Sequence, residues 1–283
     1  MRTAGVPDAD DVAAYYDVMG PLLQLVWGDN FHFGYWDDDQ DTSDLAEATD
    51  RLTRVVAERL APRPGDRVLD LGCGVGVPAL RLAALTGATV LGISYNRRQV
   101  DEASDRARAA GAQGRVRFAY ADAMALPYPD ASFDAVFALE SFVHLDRPRA
   151  LRECVRVLRP GGRIVLTDML LRGEIAPELR SGVEHGLAVQ RLAPFPTADY
   201  YRDLADEEGL VVEELTDLSD HTRLTVHRIA DSVTRHRREI EERYGDQARA
   251  IAAAMRSPLQ LMPEFGYQLL LARRPFATGP SAV

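Results

Sequence analysis

Val68-Leu69-Asp70-Leu71-Gly72-Cys73-Gly74-Val75-Gly76-Val77-Pro78 decides how this chain is read, because an apolar strand runs directly into a loop with glycine at every second position. Val68, Leu69 and Leu71 suit a strand covered on both faces, as in the middle of a parallel sheet. The glycines that follow carry no Cβ to hold a ligand away from the backbone. Spacing narrows the ligand. A dinucleotide-binding turn uses G-x-G-x-x-G, with its third glycine letting the helix close on the strand. Here Val77 occupies that third position, and Pro78 to Ala83 reads as a helix start.

Outward from the loop, short apolar runs alternate with amphipathic stretches. Strands are expected at 67–71, 89–93, 116–120, 135–138 and 163–167, with helices near 78–86, 97–110 and 148–158. This rhythm predicts right-handed crossovers in a doubly wound parallel sheet. Upstream, helices are expected over 11–27 and 44–60, the second opened by Asp44 and Glu47 at capping-box spacing. Beyond Asp168 the pattern loosens into helical stretches at 173–193 and 197–209 and a strand at 210–215. A charged helical insert over 220–255 and a last strand at 266–272 follow. Two late strands separated by an insert fit an antiparallel edge hairpin. The expected architecture is a seven-stranded, mostly parallel α/β sheet with a helical cap (1–61), a core (62–170), lid helices with a late helix and strand (171–219), a lid insertion (220–262), and a last strand and tail (263–283).

Composition restricts function. In 283 residues the net charge is −10, and no basic stripe offers a nucleic acid or an anionic membrane a footing. No apolar run approaches the roughly 18 residues of a membrane span, and the N-terminus lacks a signal-peptide core. Cys73 and Cys154 form no metal-like pair, and the six histidines do not fall at metal-site spacing. The expectation is a reduced, cytoplasmic protein with a small-molecule substrate and no metal; a homodimer stays open. All 33 basic residues are arginine, the usage of a GC-rich coding sequence such as an actinomycete's.

The D-L-G-C-G run, Tyr120-Ala121-Asp122-Ala123, Leu126-Pro127-Tyr128-Pro129-Asp130 and Leu158-Arg159-Pro160-Gly161-Gly162 together resemble the S-adenosylmethionine-dependent methyltransferases of Rossmann-like fold. That resemblance implies S-adenosylmethionine as cofactor, held by Gly72 and Gly74, by Ser94 and Gln99 at the ribose, by Asp122 and Ala123 at the adenine, and by Leu139. Ser94 stands where many relatives carry a carboxylate and reads equally as a helix cap; Asp122 reads equally as a turn aspartate.

Tyr15-Tyr16-Asp17 and Trp27-Gly28-Asp29-Asn30-Phe31-His32-Phe33-Gly34-Tyr35-Trp36 resemble the N-terminal preface of small-molecule methyltransferases, among them tocopherol, glycine-betaine and natural-product sugar enzymes, and the lysine-free composition extends the comparison to mitomycin-pathway O-methyltransferases. In that group the preface folds over the sulfonium. This implies Tyr16 at the cofactor, with His32 and Trp36 at the acceptor. In Leu139-Glu140-Ser141-Phe142-Val143-His144, His144 is the candidate general base and reads equally as a helix-start histidine, with Asp168 the other candidate base; Glu140 is an acceptor contact or the ion-pair partner of an arginine. Asp168 would orient the imidazole or help take the proton. Sugar-methylating relatives have two histidines here, and Val143 replaces the first. Lid segments 186–196 and 255–263 mix apolar residues with Pro and Arg, suiting a polycyclic or glycosylated acceptor. The Arg-rich stretch 227–244 reads as one long helix presenting a solvated face. The expected reaction is transfer of a methyl group to a hydroxyl; C- or N-methylation, a scaffold that keeps the cofactor without turnover, and a nicotinamide oxidoreductase are the alternatives.

Overall fold

A computed structural model describes residues 5–247 and 263–276. Seven strands form one sheet in the order β3-β2-β1-β4-β5-β7-β6. They are β1 (Arg67–Leu71), β2 (Thr89–Ser94), β3 (Val116–Tyr120), β4 (Phe133–Leu139), β5 (Leu158–Leu171), β6 (Val211–Asp217) and β7 (Phe265–Arg273). The first five pair in parallel, while β7 lies antiparallel between β5 and β6. The late strands thus make the expected antiparallel edge, and β6 is its outermost member.

Helices α1 (Ala9–Trp27), α2 (Leu45–Leu60), α3 (Val77–Thr86), α4 (Arg97–Ala109), α5 (Arg147–Val157), α6 (Pro177–Val189) and α7 (Tyr200–Glu207) surround the sheet. Strand alternation sends Val68 to one face with Leu52, Val56 and Leu60 of α2. Leu69 and Leu71 go to the other, with Leu151 and Cys154 of α5 and Tyr201 of α7. Burial on both faces is the reason these strands read as apolar runs. The capping box of α2 forms as its spacing predicts: Asp44 accepts from the Glu47 N–H at 2.9 Å, and Glu47 accepts in return from that of Asp44.

The charged insert differs from one long helix. Over its described residues, which end at 247, it divides into α8 (Ser219–Thr222), α9 (Leu224–Arg235) and α10 (Arg237–Tyr244), turning at His236, whose Nδ1 bonds the Ser232 carbonyl; its expected remainder, 248–255, lies outside the described residues. The turn brings Ile240 back onto Ile229 and Val233, which pack on Leu22 and Val26 of α1. The stretch read as a solvated face therefore also buries an apolar stripe that seats α1. The 255–263 lid segment lies, except for Pro263, outside the described residues, among which no helix is long and apolar enough to cross a membrane.

Candidate active site

Ligands of open α/β sheets bind beyond the carboxyl ends of the strands. There the structure has a cleft of about 880 Å³, counting its open mouth, roofed by Ala9, Val12, Ala13 and Tyr16 of α1. Its floor begins with the glycine loop. Gly72 (φ +84°) and Gly74 (φ +50°) are left-handed, a region costly for residues with a Cβ. At Gly72 a Cβ would collide with Ser141; at Gly74 it would meet nothing within 4 Å, so the backbone there is bared to the cleft. The N–H groups of Gly72 and Cys73 both reach back to the Ile93 carbonyl, at 3.0 and 2.8 Å, which fixes the turn.

Beneath the loop lies Asp70, the one charged residue of β1 whose side chain is buried. Its Oδ2 has no hydrogen-bond partner among the described residues, and it opens on a smaller cavity that shares Phe31, Gly72, Gly74 and Leu139 with the cleft. Burial pushes its carboxyl well above the ordinary value. An orphaned buried carboxylate is costly until a cation or donor reaches it. The motif was legible, but this residue was missed; its signal was a lone charge at an inward position of an apolar strand.

The next two strand ends complete one wall. Ser94 Oγ donates to Gln99 Oε1 at 2.8 Å and accepts from the Asn96 N–H, so Ser94 serves the turn as well as facing the cleft with Gln99. Asp122 likewise does both, accepting from the Met124 N–H at 2.8 Å while lining the cleft beside Ala121, Ala123 and Met124. Together the bared glycine backbone, the orphaned carboxylate and these neutral and acidic polar groups fit a ligand with a cationic head and a sugar-base tail.

The opposite wall leaves β4 at Leu139 and Glu140. Glu140 is held at φ +55°, a strained conformation for a side chain of its size. Its Oε1 accepts from the Phe33 N–H and from the Tyr267 hydroxyl at 2.7 Å. Burial pushes its carboxyl up to about 8, against the opposing pull of those donors. One turn later His144 is gripped at both nitrogens. Nδ1 lies 2.6 Å from the Arg191 carbonyl and Nε2 lies 2.9 Å from the Tyr16 hydroxyl. A carbonyl only accepts, so the proton is assigned to Nδ1. Desolvation holds the imidazole below its ordinary pKa. The neutral ring then accepts the Tyr16 proton at Nε2, and burial keeps that phenol protonated.

Three expected site residues lie elsewhere. His32 is buried, bonded through Nδ1 to the Phe33 carbonyl at 2.8 Å and through Nε2 to Thr53 at 3.2 Å; it borders the smaller cavity and not the cleft. Burial takes its pKa down to about 4. Trp36 is 1% exposed, donates to the Ser43 carbonyl and lines neither cavity. Phe33 of the 27–36 segment packs with Leu52, Val56 and Leu60 of α2, with Trp27 and Tyr35 against the same cluster, and Phe31 joins Tyr16 at the cleft. Asp168 is fully buried on β5, where its Oδ2 takes Arg147 Nε at 2.7 Å and the Tyr201 hydroxyl. It neither lines the cleft nor bonds the imidazole: its oxygens are taken by Arg147, Tyr201 and the Met169 N–H, and the Arg191 carbonyl holds Nδ1 of His144.

Residues 69–166 match the family described as a methyltransferase domain. Methyltransferase GfsG of Streptomyces halstedii is 40% identical over 266 residues, 94% of each chain. The 27-O-demethylrifamycin SV methyltransferase of Amycolatopsis mediterranei is 41% identical over 271 residues, covering 95% of this chain and 98% of that protein. Among solved structures, the [4+2]-cyclase SpnF superposes with a TM-score of 0.84 at 34% identity, covering 97% of this chain and 100% of that one.

Proposed function

The chain belongs to the S-adenosylmethionine-dependent methyltransferases of Rossmann-like fold, and we propose that it methylates a hydroxyl of a small natural product of polycyclic or glycosylated type. The observation that carries the reading is the base: His144 presents Nε2 as an acceptor toward the cleft through Tyr16. An alcohol needs to lose a proton as it attacks, so a neutral, correctly protonated imidazole serves O-methylation.

The bound cofactor supplies the electrophilic methyl group. Gly72 and Gly74 would hold its methionine portion, Gly74 with backbone bared to the cleft, and Asp70 would pair with its ammonium group. Ser94 and Gln99 take the ribose hydroxyls with neutral groups; Asp122 accepts from the adenine amine, with Ala123 beside it. Leu139 and Phe31 supply apolar wall. In the reacting complex the acceptor oxygen donates to Tyr16, whose own proton moves to Nε2 of His144. The phenol is unchanged after the transfer, and the imidazolium later releases its proton to solvent. Holding acceptor and methyl in line in a closed cleft supplies the rest of the acceleration.

The likeness to a cyclase favours a second reading, a scaffold that binds cofactor without spending it. One assay separates the two. The protein is incubated with methyl-labelled S-adenosylmethionine and hydroxyl-bearing polycyclic and glycosylated acceptors, and the products are followed by mass spectrometry. A product one CH₂ heavier, with label retained and S-adenosylhomocysteine released, supports O-methylation. An isomer of unchanged mass points to the scaffold reading.

A further inference from the structure

The segment after α6 is tied to the base and to the core by four hydrogen bonds. The Ala193 N–H donates to the Val143 carbonyl at 2.6 Å, beside the bond from His144 Nδ1 to the Arg191 carbonyl. Leu171 N–H reaches the Pro196 carbonyl at 2.8 Å, and Arg147 Nη1 reaches that of Pro194 at 2.9 Å. Only Val183 of α6 is buried, so the helix does little to place the loop that follows it. Leu192, Ala193 and Phe195 seat the loop on the core, and the polar ties fix its direction. Arg191 itself is left-handed, at φ +54°, the conformation that turns its carbonyl toward the imidazole.

Arg147 is the only charged side chain among those ties. It is 6% exposed and paired through Nε with Asp168, itself fully buried and gripped by Tyr201. A buried guanidinium keeps its geometry only while its counter-charge is present. We propose that the Arg147–Asp168 pair anchors the Arg191–Pro194 loop, and that the Arg191 carbonyl so placed fixes His144 in its Nδ1–H tautomer. Arg147 and Asp168 are then positioning residues, acting on the base through a backbone carbonyl that faces Nδ1. Without that acceptor the proton is free to settle on Nε2, and the ring becomes a donor toward Tyr16 and loses its function as a base.

The consequence for turnover rests on His144 being the base; the tautomer itself does not, so the test reads both. In ¹⁵N-histidine-labelled protein, the two-bond nitrogen-proton couplings of His144 should show Nδ1–H in the parent. Asp168→Asn and Arg147→Met should both move it to a tautomer mixture and lower kcat about tenfold to a hundredfold, with the KM for cofactor unchanged. The double variant should be no slower than the worse single, as for residues acting as one unit. Because a buried pair can fail to fold when broken, exposed Arg191 gives an independent arm. Arg191→Gly keeps the left-handed conformation and should retain the Nδ1–H tautomer, whereas Arg191→Val should reproduce the Arg147→Met spectrum. An unchanged His144 tautomer in Arg147→Met and Arg191→Val overturns the proposal, as does loss of turnover in Asp168→Asn with Arg147→Met fully active. A shifted tautomer with undiminished turnover supports the anchor and overturns the reading of His144 as base.

Discussion

The Tyr16 hydroxyl stands 2.9 Å from Nε2 of His144, so a side chain from the N-terminal helix closes directly on the proposed base at the end of β4. The ring pair is edge-on at 5.5 Å, and α1 is fastened over the cleft by Asn96 to the Ala13 carbonyl and Arg98 to the Tyr16 carbonyl. A proton relay through Tyr16 predicts that His144→Ala lowers kcat by about a hundredfold or more while cofactor affinity holds. Tyr16→Phe should fall in the same direction, and the two losses should not multiply in the double variant. Steady-state rates with a titration of cofactor binding decide it; full activity in Tyr16→Phe removes the phenol from the route.

The pH profile carries its own sign. Desolvation in the cleft is the largest influence on His144 and disfavours the imidazolium, so its proton leaves below the ordinary histidine value. Since only the neutral ring accepts a proton, kcat should rise with pH through an apparent pKa under about 6.5 and be level at neutrality. His144→Ala should lose this acid limb. A limb that persists unchanged in the variant assigns the titration to another group.

Much of this was legible because the sheet and the glycine turn are written locally. Alternation at Val68 and Leu69, the Asp44 cap and the Gly72–Gly74 loop each depend on neighbours a few residues away. The site's other half depends on chain segments far apart. His144 meets Tyr16 across 128 positions and Arg191 across 47, and the second partner is a backbone carbonyl, which no side-chain pattern announces. His32 and Trp36 went the other way: the resemblance of the preface implies acceptor contacts for them, while the fold buries both and ties them to Thr53 and to the Ser43 carbonyl. Asp168 carried the right residue type for proton chemistry, yet Arg147 and Tyr201 had already claimed it.

Cofactor binding should separate Asp70 from Asp122. Asp122→Asn keeps an oxygen for the Met124 N–H and so preserves the turn, but puts an amide where the adenine amine needs an acceptor. The Kd for S-adenosylmethionine should rise about tenfold, the worth of one good hydrogen bond, with the thermal midpoint of the free protein unchanged. Asp70→Asn should also weaken binding without lowering the stability of the free protein, because the carboxylate it removes is buried and unpartnered at Oδ2. Isothermal titration and melting curves measure both, and equal affinity in either variant removes that residue from the cofactor site.

Glu140 makes stability depend on pH in the direction opposite to most carboxylates. Its folded-state pKa is raised from 4.5 to about 8, chiefly by burial, so the native state holds a proton that the unfolded chain gives up. The group's contribution is complete below the unfolded value and is lost as pH rises through the folded one. Melting temperature should therefore decline between about pH 5 and pH 8 in the parent. Glu140→Gln retains an oxygen for Phe33 N–H and the Tyr267 hydroxyl and cannot ionise, so its melting temperature should be flatter over that window and higher than the parent's at its alkaline end. A parallel decline in both proteins would place the titration elsewhere.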